Sequence, residues 1–327
     1  MTKVTVLDGS FSSQISKHVN KSPDGDPLWT ARFLVTNPDA VRNAHLDFLR
    51  AGSDIIETNT YQASIDGFCK YLGVTEADSL DIIVKAVDLA KQAVKIYKEE
   101  IVNNEDAVNV NPMIAGSCGP YGAVLHDASE YTGSYGKRVS REFLKDWHRP
   151  KMETLIKAGV DLLAIETIPC AEEAEALVEL LKEFPDTKAW LSFSCSTDGS
   201  TIVDGSDYQE IALRCYNNSL KDQLVAVGVN CLSPHNVTSY LSKINKNNGG
   251  NKSVPLIAYP NSGEVFVPGQ GWKKEDGKTC DVKKYTHEWL ELGVQYIGGC
   301  CRMTAVDIAK IRAEVDSWKS QERETTV

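Results

Sequence analysis

The chain has 327 residues, 42% hydrophobic and 24% charged, which is the profile of a soluble globular protein of one large domain or two smaller ones. A formal net charge of −10 and a pI near 5.2 argue against nucleic acid or an anionic membrane surface as partner. No apolar run approaches the roughly 18 residues of a membrane span, no signal peptide precedes the first strand, and nine cysteines in no small-scaffold spacing predict free thiols in a reducing, cytoplasmic setting.

Val4 to Leu7 reads as a first strand ending in Asp8-Gly9-Ser10, with a long loop running on to Leu28-Trp29. Asn37 and Pro38 predict a helix start, as N-cap and first helical residue, with Val41, Ala44, Leu46, Phe48 and Leu49 as its buried face. Asp54 to Ile56 is a second strand, ending in Glu57-Thr58-Asn59-Thr60-Tyr61, and Glu76 to Ile101 is a long helix. Strands follow at Asn111 to Gly116, Asp161 to Ile165, Lys188 to Phe193, Leu224 to Val229, Val254 to Ala258 and Val294 to Ile297. Helices are predicted over Ser140 to Ala158, Cys170 to Phe184, Asp207 to Asn217, Pro234 to Lys246, Val282 to Leu292 and Thr304 to Trp318. Eight strands, each followed by a helix, predict a (β/α)8 barrel as one domain over residues 1–327. An open doubly wound sheet is disfavoured because no Gly-x-Gly-x-x-Gly follows the first strand. The long loops lie after strands, at the C-terminal face where barrel sites sit, and the polar stretch Asn245 to Ser253 on the opposite face reads as a solvated turn.

Adjacent Cys300 and Cys301 follow Gly298-Gly299 at the end of the last strand, in a turn that the glycines let bend sharply, and Cys231 ends the sixth. Three thiols at neighbouring strand ends predict a metal site with an open fourth position, and soft sulfur ligands suit zinc. The alternatives are buried cysteines acting as small hydrophobes, or a strained disulfide between adjacent residues. The other strand ends place Asp8, Glu57, Ser117, Glu166, Ser194, Asn230 and Tyr259 around the same mouth. Three carboxylates facing one opening suit an ammonium group, and Trp29 and Tyr61 offer aromatic faces to a cation. No hydrolase or phosphate-binding motif competes.

The segments Asp8-Gly9-Ser10, Leu28-Trp29-Thr30-Ala31, Glu57 to Tyr61, Gly116 to Ala123, Ser129 to Gly133, Glu166-Thr167-Ile168-Pro169, Gly228 to Cys231, Tyr259 to Glu264 and Gly298 to Arg302 together resemble the homocysteine S-methyltransferase family over nearly the whole chain. The resemblance implies a zinc-bearing (β/α)8 barrel with Cys231, Cys300 and Cys301 as zinc ligands and, through the ion, as the catalytic set. It assigns Asp8 and Glu166 to the amino acid substrate and Asn230 to the substrate or metal surround. Gly9, Trp29, Glu57, Thr58, Asn59, Tyr61 and Ser117 join them as candidate substrate-binding residues. The activity it implies is methyl transfer from a sulfonium donor, S-methylmethionine or S-adenosylmethionine, to the thiol of homocysteine, giving methionine. The match reads as weaker to the betaine-dependent branch, because Gln62 stands where a tyrosine is expected and the chain ends soon after Arg302. Without the C-terminal extension of that branch a monomer is expected, with small molecules as partners. A selenocysteine or selenohomocysteine methyltransferase and a catalytically silent zinc-binding barrel are the alternatives.

Overall fold

The computed structural model describes residues 3–102, 110–246, 253–267, 271–273 and 281–325. In chain order the elements are β1 (Thr5–Val6), α1 (Phe11–Ile15), α2 (Phe33–Thr36), α3 (Pro38–Arg50), β2 (Ile55–Glu57), α4 (Ile65–Leu72), α5 (Glu76–Ile101), β3 (Met113–Cys118), α6 (Arg141–Lys157), β4 (Leu162–Ile168), α7 (Ala171–Leu181), β5 (Ala189–Phe193), α8 (Tyr208–Asn218), β6 (Leu224–Asn230), α9 (Pro234–Ile244), β7 (Leu256–Tyr259), β8 (Val265–Val267), β9 (Gly271–Lys273), α10 (Val282–Glu291), β10 (Val294–Ile297) and α11 (Ala305–Thr325). Eight parallel strands pair in the order β1-β10-β7-β6-β5-β4-β3-β2, with helices in the crossovers, while β8 and β9 form a separate hairpin. This is a (β/α)8 barrel in a single domain. The β1–β2 seam is short of a regular ladder and is closed by a mixture of bonds. Asp54 N–H donates to Val6 O (2.7 Å), Val6 N–H to Asp54 Oδ2 (2.8 Å) and Glu57 N–H to Asp8 Oδ2 (2.8 Å). Arg312 on α11 holds the same Asp54 oxygen at 2.5 Å.

Side-chain alternation explains why the strands face two ways. Along β4, Leu163 and Ile165 pack outward into the layer shared with the helices, and Leu162 and Ala164 pack inward. The inner layer also takes Leu7, Ile55, Ala115, Trp190, Ala226, Ile257 and Tyr259. Small residues at 115, 164 and 226 make room for the buried Trp190, whose Nε1–H donates to Tyr259 Oη at 3.0 Å. Further along the strands, two places on in four of them and four places on in β6, the inward positions become polar: Glu57, Ser117, Glu166, Ser192 and Asn230. The packed interior therefore ends in a polar floor at the C-terminal face.

Three sequence expectations change. Asn37 stands at the N-cap of α3, but its side chain makes no cap bond, since φ of −144° and ψ of 57° turn it from the usual cap conformation. A helix unread in the sequence, α4, starts with Ser64 Oγ accepting from Gly67 N–H and stops at Gly73 in the left-handed region. The last helix runs to Thr325 rather than Trp318. The polar turn expected at Asn245 to Ser253 and the loop expected from Tyr259 to Thr279 lie partly outside the described residues.

Candidate metal centre and substrate cavity

The three predicted cysteines converge. Cys231 Sγ lies 2.7 Å from Cys300 Sγ and 3.5 Å from Cys301 Sγ, and the three sulfurs fall within 4.8 Å of one another. This is the sole such His/Cys/Asp/Glu group among the described residues. The eight described cysteines are all free. Backbone bonds fix the sulfurs from below: Cys300 N–H donates to Pro260 O (2.7 Å), Cys301 N–H to Asn261 Oδ1 (3.0 Å) and Ser262 N–H to Cys301 O (3.0 Å). Gly298 and Gly299 serve close approach rather than a sharp bend. A Cβ on Gly298 would lie 2.6 Å from Leu7 Cβ, and one on Gly299 would lie 2.4 Å from Met303 Cβ. The residue that takes the left-handed backbone is Arg302, with φ of 68°.

The donor set fits a soft metal ion. Three sulfur ligands with bonds of about 2.3 Å need neighbours less than about 4 Å apart, and no hard oxygen ligand is interposed. Contacts with Cys231 and Cys300 hold Cys301 well below the usual thiol range. The same contacts push Cys300 up.

These sulfurs lie on the wall of a cavity of about 1400 Å³. Asp8, Gly9, Trp29, Glu57, Thr58, Asn59, Tyr61, Ser117 and Glu166 line it. Burial raises the carboxyl groups of Asp8, Glu57 and Glu166, and for Glu57 the facing Glu166 and Asp8 add to that rise. Ser117 Oγ–H donates to Glu166 Oε1 at 2.5 Å. Such a cluster is short of a cation, and an ammonium group would relieve it. Trp29 and Tyr61 form an edge-to-face pair with centroids 6.0 Å apart on the wall.

Not every candidate plays the expected part. Thr58 Oγ1 accepts from Ser117 N–H (3.0 Å), and Asn59 is tied to Thr30 by two bonds (2.6 and 2.8 Å), so both fasten the wall. Ser194 is buried off the cavity. Asn230 also stands behind the wall, fully buried. Its Oδ1 accepts from Thr167 N–H and Ser192 Oγ–H, both at 2.9 Å, and its Nδ2 donates to Thr167 Oγ1 at 2.7 Å. The side chain lies off the cavity with its oxygen and nitrogen engaged by Thr167 and Ser192, so it positions those residues rather than meeting a substrate.

The family model for homocysteine S-methyltransferases matches residues 5–315. The chain belongs to the homocysteine S-methyltransferase family. It is 46% identical over 318 residues to a betaine-homocysteine S-methyltransferase of Drosophila melanogaster, covering 96% of this chain and 94% of that protein. It is 38% identical to the homocysteine S-methyltransferase of Escherichia coli, covering 95% and 94%. It also superposes on the metallated form of the E. coli homocysteine methyltransferase MmuM with a TM-score of 0.80 at 37% identity, covering 95% and 96%. The chain is thus a methyltransferase of this family. The sequence suggests a weaker match to the betaine-dependent branch, yet a relative at 46% identity bears that branch's name.

Several residues on the cavity wall or behind it are not apparent from the sequence. Lys151 on α6 is buried, donates to Tyr61 O at 3.1 Å, and is lowered to about 8 by burial. A signal existed, because Leu144, His148, Lys151, Met152 and Leu155 form one buried helical stripe. Glu130, Tyr131 and His126 reach the cavity from the loop after β3. That loop is pinned by buried Glu173, which accepts from Tyr121 N–H (2.7 Å), approaches His148 Nε2 (2.8 Å) and takes the Tyr135 hydroxyl. Of the non-glycine residues with positive φ, Trp29, His126, Thr167, Cys231 and Arg302 all line the cavity. Such strain, about 1–3 kcal/mol per residue, gathers where a side chain must be aimed.

Proposed function

We propose that the protein transfers a methyl group from a sulfonium donor, S-methylmethionine or S-adenosylmethionine, to the thiol of L-homocysteine, giving methionine. The observation that carries this reading is the pairing of a three-sulfur centre with a buried three-carboxyl floor in one cavity. An amino acid thiol needs both: acid groups for its ammonium and a soft centre for its sulfur. Cys231, Cys300 and Cys301 would hold zinc. When bound, zinc would lower the pKa of a substrate thiol and so supply a thiolate at neutral pH, where a free thiol is only a few per cent ionised.

The remaining chemistry belongs to the chain. Asp8, Glu57 and Glu166 attract the ammonium, and Ser117 orients Glu166 by its hydrogen bond. Trp29 and Tyr61 present aromatic faces on the wall, suited to a positively charged sulfonium. The methyl leaves the sulfonium as the thiolate attacks, the C–S bond electrons returning to the donor sulfur, so no general base is required in that step. A selenium acceptor is the second reading, favoured by the selenocysteine Se-methyltransferase of Brassica oleracea, which is 36% identical over 325 residues. We further propose a cytoplasmic monomer acting in methionine formation. No described helix is long and apolar enough to cross a membrane.

The test supplies purified, zinc-replete protein with homocysteine or selenocysteine and either S-methylmethionine or S-adenosylmethionine, and measures the methylated product by mass spectrometry. Methionine with one donor names it. Turnover of selenocysteine alone would move the acceptor to selenium, and no product from either acceptor would overturn the proposal.

A further inference from the structure

The cavity has an unequal charge inventory. Seven carboxyl side chains line it: Asp8, Glu57 and Glu166 at the floor, with Asp24, Asp26, Glu130 and Glu264 around them. Against these stands one side chain of permanent positive charge among the described residues, Arg302. It follows Cys301 directly, and its carrier residue has φ of 68°, a conformation that costs an L side chain about 1–2 kcal/mol and that glycine would take freely. An arginine kept there must repay that strain through its side chain. The guanidinium is held but not used up. Nε–H donates to Glu264 Oε2 at 2.7 Å, and among the described residues no hydrogen bond engages Nη1 or Nη2. The side chain is 45% exposed, at the outer part of the cavity rather than on its floor.

We infer that Arg302 is the carboxylate anchor of the methyl donor, so that the site selects sulfonium compounds carrying an α-carboxylate. The inference rests on the proposed methyl transfer. The floor acids take the acceptor's ammonium, and the donor must then approach from the open side, its amino acid arm lying toward the rim. A carboxylate there would meet a wall rich in carboxyl groups and one guanidinium, whose two Nη atoms form the planar fork that binds carboxylates in a bidentate manner. Glu264 holds the fork's other edge and fixes its plane.

The test uses zinc-replete wild-type protein, Arg302→Gln and Arg302→Lys, with metal content measured in each. Calorimetric titration compares S-methylmethionine with its methyl ester, which keeps the sulfonium and loses the carboxylate charge. Donor and homocysteine KM are measured alongside. The inference expects Arg302→Gln to weaken S-methylmethionine about 10- to 100-fold, Arg302→Lys to weaken it less, and the ester to bind wild type and both variants alike. Homocysteine KM should stay within about twofold. Equal weakening of donor and ester, a rise confined to homocysteine KM, or no change in S-methylmethionine binding would each overturn it. If wild type binds neither donor, the sulfonium reading itself fails, which the wild-type titration alone reveals.

Discussion

Removing the Asn230 side chain isolates the joint on which the site depends. Asn230 immediately precedes Cys231, and its partner Thr167 immediately follows Glu166. One buried amide therefore sets the spacing between a metal-binding sulfur and an ammonium-binding carboxyl. Both flanking backbones are strained, with φ of 58° at Thr167 and 57° at Cys231. Asn230→Ala would orphan the Thr167 N–H, while the Thr167 hydroxyl keeps Tyr61 and Ser192 keeps its 2.5 Å contact with Tyr259 Oη. One orphaned buried group at about 1–3 kcal/mol, plus the void left by the amide, predicts a loss of about 2–4 kcal/mol. That is a large part of the stability of an ordinary domain, about 5–15 kcal/mol. Urea unfolding followed by tryptophan fluorescence measures the loss, and kinetics should show kcat/KM for homocysteine falling with it, as Thr167 relaxes and Glu166 moves. A variant destabilised by less than about 1 kcal/mol with unchanged kcat/KM would refute this positioning role.

The floor carboxyls oppose stability in the service of binding. Their folded-state pKa values are raised, so the folded chain holds extra protons above the free carboxylate range, and the stability they contribute in acid is lost as pH rises through that window. Glu57→Gln removes one like charge and should raise the melting temperature at pH 7 while weakening homocysteine binding; each unit of raised pKa relieved is worth about 1.4 kcal/mol. A lower melting temperature would count against the cluster. For the same carboxyls, kcat/KM for homocysteine should fall on the acid side at a pH above the ordinary carboxylate range, and a limb below about pH 4 would contradict the raised values. Lys151 runs the other way. Lowered to about 8 from 10.5, it leaves the unfolded chain with more protons between those values, so wild-type stability should gain as pH rises through that window relative to Lys151→Met. Parallel pH profiles of the two unfolding midpoints would show that the lysine is not desolvated.

The barrel was legible because its evidence is local. Apolar runs such as Leu162 to Ile165 and Leu224 to Val229 stand between amphipathic helices, and buried parallel strands need no finer code. The thiol centre was legible because adjacent Cys300 and Cys301 have few other uses. What stayed hidden depends on pairing across the chain. Asn230 reads as a polar strand end, and only its meeting with Thr167, 63 residues away, makes it a brace. Asp8 likewise reads only as an acid at the mouth, and it takes the Glu57 N–H on its Oδ2 to show that it also closes the β1–β2 seam. The glycines before Cys300 looked like a bend, since sequence alone does not reveal that Leu7 and Met303 crowd them. Arg302 reads as part of the Gly298 to Arg302 motif without a part of its own, because a left-handed φ leaves no mark on the residue that bears it.

The central claim is that Cys231, Cys300 and Cys301 form the centre at which a thiol is methylated. It is tested most directly by supplying homocysteine and methyl-deuterated S-methylmethionine or S-adenosylmethionine to the wild type and to Cys231→Ser, Cys300→Ser and Cys301→Ser, with zinc content measured in each. The account predicts one bound zinc and deuterated methionine from the wild type, and depleted metal with product at the uncatalysed background from every variant. A serine variant that lacks zinc and still makes methionine at the wild-type rate would contradict it.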